Sequence, residues 1–178
     1  MHGQNTRWKG NHLFLNPNVM KKRLLFICLG NICRSPAAEG VMKKIVWDEW
    51  VDDEYEIDSA GIGSWHVGEL PDRRMRQCGA KRGYDFNSRA RQFKTEDFDR
   101  FDYIFVMDSE NEEDVRRKAR GEHDCLKIRR LSDYFRSFKG QRSIPDPYYG
   151  NERDFEFALD LIEDACKGVF EELQTVET

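Results

Sequence analysis

A compact apolar run, Leu24-Leu25-Phe26-Ile27, gives way at Cys28 to the string Cys28-Leu29-Gly30-Asn31-Ile32-Cys33-Arg34-Ser35 and then to Pro36-Ala37-Ala38-Glu39. The run reads as a buried strand, the string as a loop, and the last four residues as the opening of a helix. That succession leaves few folds open. A loop between a strand and a helix N-terminus can aim successive backbone N–H groups at one small oxyanion, and the helix dipole favours the same charge. Here a thiol opens the loop and a guanidinium closes it.

Those two residue types suit one chemistry. A free cysteine titrates near ~8.5, and a helix N-terminus with a neighbouring cation lowers that by several units, so a thiol placed like Cys28 can attack a phosphate ester as thiolate. The planar fork of Arg34 fits two phosphate oxygens at once and stays charged throughout. Ser35 is placed to donate to the thiolate and to cap the helix, with Pro36 at the first helical position. Gly30 supplies backbone freedom for a tight turn. Asn31 tolerates a left-handed conformation better than most residues. No Gly-Lys-Ser/Thr follows the glycine, so the loop is not a nucleotide-binding P-loop. Leu29 to Ser35 are therefore read as a phosphate-binding loop with Cys28 at its head.

Downstream, strands and helices alternate. A helix is expected to run to about Trp50, with Ala38, Val41, Met42 and Ile45 on one face. Tyr55–Ser59 is a second strand, followed by a flexible turn, Ala60-Gly61-Ile62-Gly63, into Trp65. Pro71-Asp72 opens a second helix that stops near Gly79–Gly83. Asn87–Phe101 reads as irregular, with one short helical turn. Tyr103–Met107 is a buried strand ending at Asp108, and Ser109-x-x-Glu112 is a capping-box signature for a polar helix to about Arg120. Leu126–Leu131 is a fourth strand, and a long connection with Tyr134, Phe135 and Phe138 leads to a final helix over Glu152 to Leu173. This order implies an α/β fold of one domain: an open four-stranded parallel sheet with helices on both faces. In such sheets a site lies beyond the carboxyl ends of the strands, where the Cys28 loop sits. Residues 1–19 share no sustained period with the rest and read as a flexible extension to a domain over residues 20–178.

Composition narrows the function classes. The chain has 178 residues and a net charge of −4. That balance makes no general electrostatic case for nucleic acid or an anionic membrane. The charge is uneven, acidic over Asp48 to Asp58 and basic over Arg73 to Lys94, which reads as solvated faces. No apolar run is long enough to span a bilayer. Five scattered cysteines argue against a disulfide framework and for a reducing, cytoplasmic setting. The histidines (His2, His12, His66, His123) show no ligand spacing, so neither metal nor cofactor is expected.

The string Cys-Leu-Gly-Asn-Ile-Cys-Arg-Ser-Pro behind a strand resembles the low-molecular-weight protein tyrosine phosphatases, and further matches extend from Arg23 onward. That resemblance implies hydrolysis of phosphotyrosine in protein substrates, and of small aryl phosphates, through a cysteinyl-phosphate. Carried over residue by residue, it makes Cys28 the nucleophile and Arg34 the phosphate clamp. Asp146, in Asp146-Pro147-Tyr148-Tyr149-Gly150, becomes the general acid and then base. On residues alone an Asp-Pro pair is only a turn. The resemblance also places Ile32, Trp65, Tyr148 and Tyr149 around the substrate cleft. Ser59, in Asp58-Ser59-Ala60-Gly61, supports Asn31, and Asp108 gives structural support beside the loop. A Cys28–Cys33 disulfide able to shield the nucleophile from over-oxidation is implied in the same way. So is a start near Met20-Lys21-Lys22. Cys78 and Cys166 fall on apolar helix faces and read as core. The expected assembly is a monomer, with a weak dimer as the alternative.

Three rival readings meet specific residues. Arsenate reductases on this kind of loop relay a disulfide through downstream cysteines, and Asn87–Phe98 contains none. Protein arginine phosphatases typically carry threonine where Ile32 stands, and isoleucine with Tyr148 and Tyr149 favours an aryl phosphate. A non-catalytic phosphate-binding module would not need Cys28, Arg34 and Asp146 together.

Overall fold

The computed structural model describes residues 20–176, so the extension expected over residues 1–19 lies outside them. β1 (Lys22–Cys28) is the centre of the molecule. Its last five residues are buried, as an all-parallel sheet covered on both faces requires. It pairs in parallel with β2 (Tyr55–Gly61) on one side and β3 (Tyr103–Val106) on the other, and β4 (Ile128–Arg130) extends the sheet beyond β3, giving the order β2-β1-β3-β4.

Alternation along β1 divides the core. Leu24, Phe26 and Cys28 face a cluster shared with α1 (Arg34–Asp48), α2 (Arg73–Lys81) and α6 (Glu152–Thr175). Leu25 and Ile27 face a second cluster that includes Phe93, Phe98, Phe101 and Val115. It is closed by α3 (Asp97–Arg100) and α4 (Ser109–Lys118). A two-residue period thus feeds two layers. The apolar stripe expected on the last helix is buried at Phe155, Ala158, Leu159, Ile162, Ala165, Cys166, Val169 and Leu173. Its N-terminus is a full capping box: Asn151 Oδ1 accepts from the Arg153 and Asp154 amides, while Asp154 Oδ2 accepts from the Asn151 amide at 2.7 Å.

Four local expectations need correction. The cap of α4 is Asp108, whose Oδ1 accepts from the Asn111 amide at 2.8 Å. Glu112 instead pairs with Arg116 and Arg130, so no Ser109–Glu112 box forms. β4 is three residues long because a short helix, α5 (Glu122–Cys125), consumes the preceding chain and leaves Leu126 exposed. The first residue of α1 is Arg34 and its cap is Cys33, without a side-chain bond; Ser35 therefore lies inside the first turn and caps nothing. Finally, Ala60 and Gly61 belong to β2, with Gly61 in register beside Cys28. This is ordered sheet rather than a flexible turn.

Candidate active site

The loop after β1 is pinned by three backbone bonds from two segments. The Ile62 and Gly63 amides donate to the carbonyls of Cys28 and Leu29 at 3.0 and 2.9 Å, and the Asp72 amide donates to the Ile32 carbonyl at 2.7 Å. Gly61 lets β2 approach this closely: a Cβ there would lie 2.9 Å from the Gly30 carbonyl carbon and 3.0 Å from the Asn31 nitrogen, both backbone. Gly30 has no left-handed backbone. Its missing side chain makes room for the His66 ring, which a Cβ would meet at 3.1 Å.

Asn31 holds the inside of the loop. It takes the left-handed conformation, φ 57°, and uses every polar atom of its buried side chain. Its Nδ2 donates to Ser35 Oγ at 2.8 Å and to Ser59 Oγ at 2.9 Å, and its Oδ1 accepts from the Arg91 amide at 3.0 Å. Ser59 Oγ in turn donates to Glu39 Oε2 at 2.6 Å, and the other oxygen of that buried carboxylate takes Lys43. Ser35 Oγ lies 3.0 Å from Cys28 Sγ and 3.4 Å from the Ala60 carbonyl. Since Asn31 donates to that oxygen, the hydroxyl proton is left to point elsewhere, and the sulfur is the nearer acceptor.

Arg34 closes the loop as a guanidinium 2% exposed. Its Nη1 donates to Asp108 Oδ2 at 2.6 Å and to the Ile144 carbonyl at 2.9 Å; Nη2 reaches Asp146 Oδ2 at 3.4 Å. Burial works against its charge, but the Cys28 sulfur, Asp146 and Asp108 outweigh it and hold the proton more tightly than usual. Asp108 therefore spends one oxygen on the α4 cap and the other on Arg34. Arg34 Nε is buried and makes no hydrogen bond among the described residues.

Over this floor opens a cleft of about 320 Å³ lined by Cys28, Leu29, Gly30, Ile32 and Cys33 below and by Trp65, His66, Asp146, Tyr148 and Tyr149 around the mouth. Trp65 is 69% exposed and rests over Gly63, where a Cβ would strike the indole. Tyr148 packs edge-on against Tyr149 with ring centroids 4.9 Å apart, and the Arg74 guanidinium lies 5.6 Å from its ring centre. The Tyr148 amide donates to Asp146 Oδ1 at 3.2 Å, a local turn that fixes the carboxylate. Cys33 is buried, and that burial, with Cys28 close by, pushes its thiol well above the usual range. It stays protonated where it stands.

Each candidate site residue named from the sequence thus lies in the loop, around the cleft or against its supports. Sequence reasoning missed His66, Glu39, Arg91 and Arg74. Glu39 carried a signal: it lies one helical turn after Ser35, on the face that Ala38 and Met42 assign to the core. His66 carried only its adjacency to Trp65. Among the described residues no group of three or more His, Cys, Asp or Glu side chains could hold a metal ion. No helix among them is long and apolar enough to cross a membrane.

Fold and cleft together define an α/β domain whose parallel sheet carries a cysteine-to-arginine loop at the floor of a cleft on its carboxyl edge. Residues 23–177 match the model of the low molecular weight phosphotyrosine protein phosphatases. A low molecular weight phosphotyrosine protein phosphatase of Gallus gallus is 45% identical over 151 residues, covering 84% of this chain and 94% of the relative. The crystal structure of a protein tyrosine phosphatase from Entamoeba histolytica superposes with a TM-score of 0.85 at 42% identity, covering 89% of this chain and all of that one. A Drosophila arginine phosphatase superposes with a TM-score of 0.78 at 33% identity over 84% of this chain and 96% of its own. The chain belongs to the low molecular weight phosphotyrosine protein phosphatase family, and it is an enzyme of that hydrolase class.

Proposed function

We propose that the protein hydrolyses phosphotyrosine in protein substrates in two steps, with Cys28 as nucleophile, Arg34 as phosphate clamp and Asp146 as general acid and base. In the first step the Cys28 thiolate attacks phosphorus and the bond to the tyrosyl oxygen breaks. Asp146 gives its proton to the departing oxygen, an effect typically worth ~10²–10⁴-fold. In the second step Asp146, now a carboxylate, takes a proton from water. The water oxygen attacks phosphorus, the S–P bond breaks, and phosphate leaves with the thiolate restored. The amides of Leu29 to Ser35 and the fork of Arg34, its Nε included, hold the three equatorial oxygens in both steps. Ser35 stabilises the sulfur by donating to it. Ser59 and Asp108 act at one remove, through Asn31 and Arg34.

The observation that carries this reading is that Asp146 lines the same cleft as Cys28 while bonded to Arg34, the residue that closes the Cys28 loop. Trp65, Tyr148 and Tyr149, with Ile32 on the floor, offer apolar walls to an aryl ring. A disulfide between Cys28 and Cys33, formed when a peroxide oxidises the Cys28 thiolate to a sulfenic acid and the Cys33 sulfur displaces water from it, would switch the enzyme off reversibly. The buried free thiols suit a reducing, cytoplasmic compartment.

The test is hydrolysis of phosphotyrosine, phosphoarginine and phosphoserine peptides in the presence of a chelator, with Cys28→Ser as control. Release of phosphate from phosphotyrosine alone, lost in Cys28→Ser although that variant still binds phosphate, is expected. Preference for phosphoarginine would replace this reading with that named for the Drosophila relative and would show that Ile32 does not exclude it.

A further inference from the structure

Beyond the cleft, the carboxyl edge of the sheet carries a second concavity, of about 510 Å³, at the end of β4. Its walls present Arg130, Lys139 and Arg142 against one acidic side chain, Asp133. All four are exposed. Arg130 is paired with Glu112, whereas neither Lys139 nor Arg142 makes an ion pair among the described residues. In a chain of net charge −4 this is a local excess of positive charge. It is also shaped: the buried Ser132 hydroxyl donates to the Arg142 carbonyl at 2.8 Å and ties the outer wall to the turn after β4.

The groove is rigidly indexed to the catalytic loop. From Arg142 the chain runs through Ile144 to Asp146. Ile144 is fully buried and fixed at both backbone groups, its amide donating to the Met107 carbonyl and its carbonyl accepting from Arg34, each at 2.9 Å. Four residues of extended chain span at most ~14 Å. The cationic groove therefore sits one short stretch of peptide from the phosphate clamp, on the same edge of the sheet.

We propose that this groove receives an acidic segment of the substrate protein itself, with a Glu or Asp three to five residues from the phosphotyrosine meeting Lys139 and Arg142. The inference rests on the phosphatase reading above and adds the substrate's sequence class. A groove lined by Arg130, Lys139 and Arg142 suits an acidic stretch of peptide, and complementary rim charges act mainly on capture. They leave the chemical step alone.

The experiment compares phosphotyrosine peptides carrying Glu or Gln at three to five residues on either side of the phosphotyrosine, with p-nitrophenyl phosphate as a substrate too small to reach the groove. The wild type should favour the Glu peptide on one side by about 3- to 10-fold in kcat/KM, the scale of two exposed ion pairs. The difference should lie in KM and shrink as salt rises. Lys139→Gln/Arg142→Gln should lose the preference while hydrolysing p-nitrophenyl phosphate at the wild-type rate; Lys139→Arg/Arg142→Lys should keep it. Equal rates on the Glu and Gln peptides with wild type, or a preference that survives the double Gln variant, would overturn the proposal. So would capture of anionic phosphatidylserine vesicles without any peptide preference, which would assign the patch to a lipid surface. Inactivity of the wild type on the neutral peptide and on p-nitrophenyl phosphate alike would fell the phosphatase reading itself.

Discussion

Asn31 binds three segments of chain with one side chain, and its three hydrogen bonds offset the strain of its left-handed backbone. Asn31→Ala should lower kcat by at least about 10-fold, because Ser35 then loses the donor that orients its hydroxyl toward sulfur. Phosphate affinity should change much less, since Arg34 is held independently by Asp108 and Ile144. Single-turnover kinetics with phosphate inhibition separate the two. Asp146→Ala should slow phenyl phosphates with poor leaving groups by ~10²–10⁴-fold and activated ones far less; equal slowing of both would refute the general-acid role. At this scale the sequence was informative where chemistry is carried by type and spacing, as in Cys28, Arg34 and Asn31. It was mute on Gly30, read as a flexible turn residue but needed for the approach of a histidine thirty-six residues away. It was equally mute on Arg91, whose role is played by its backbone amide.

The elements were legible wherever burial repeats with a fixed period. β1, β3 and α6 carry their patterns openly, and the carboxyl-edge placement of the loop follows from alternation alone. β4 was overestimated because Leu126 looks like strand until α5 claims the residues before it. The join between helices was not legible at all. Phe86 is wedged between Gly40 of α1 and Gly79 of α2, at both of which a Cβ would overlap its ring. Phe86→Ala should therefore cost ~3–5 kcal/mol in denaturant unfolding. Gly61→Ala is the more telling substitution. Its methyl meets loop backbone, which can only move away, so kcat/KM should fall about 10- to 100-fold while the fold survives, as circular dichroism would show.

Across the whole molecule, charge is largely consumed by ion pairs that hold the surface together. Asp124, hydrogen bonded to the Arg120 side chain and amide, is held down at about 2, and Glu112 is kept below its ordinary range against its own burial by Arg130 and Arg116. A depressed carboxylate binds fewer protons folded than unfolded, so its stabilisation is complete above the ordinary carboxylate range and is lost as pH falls through it. The urea midpoint should hold steady down to about pH 5 and decline between about pH 4 and about pH 2. Arg120→Gln should flatten that decline. Trp65, settled on Gly63 at the mouth of the cleft, lends itself to a different use. α1 keeps Trp47 about 20 Å from the Cys28 loop and Trp50 follows the far end of that helix, so of the described indoles Trp65 is the one that lines the cleft. Its emission makes the enzyme its own optical reporter: arrival and departure of substrate can be timed in unlabelled protein.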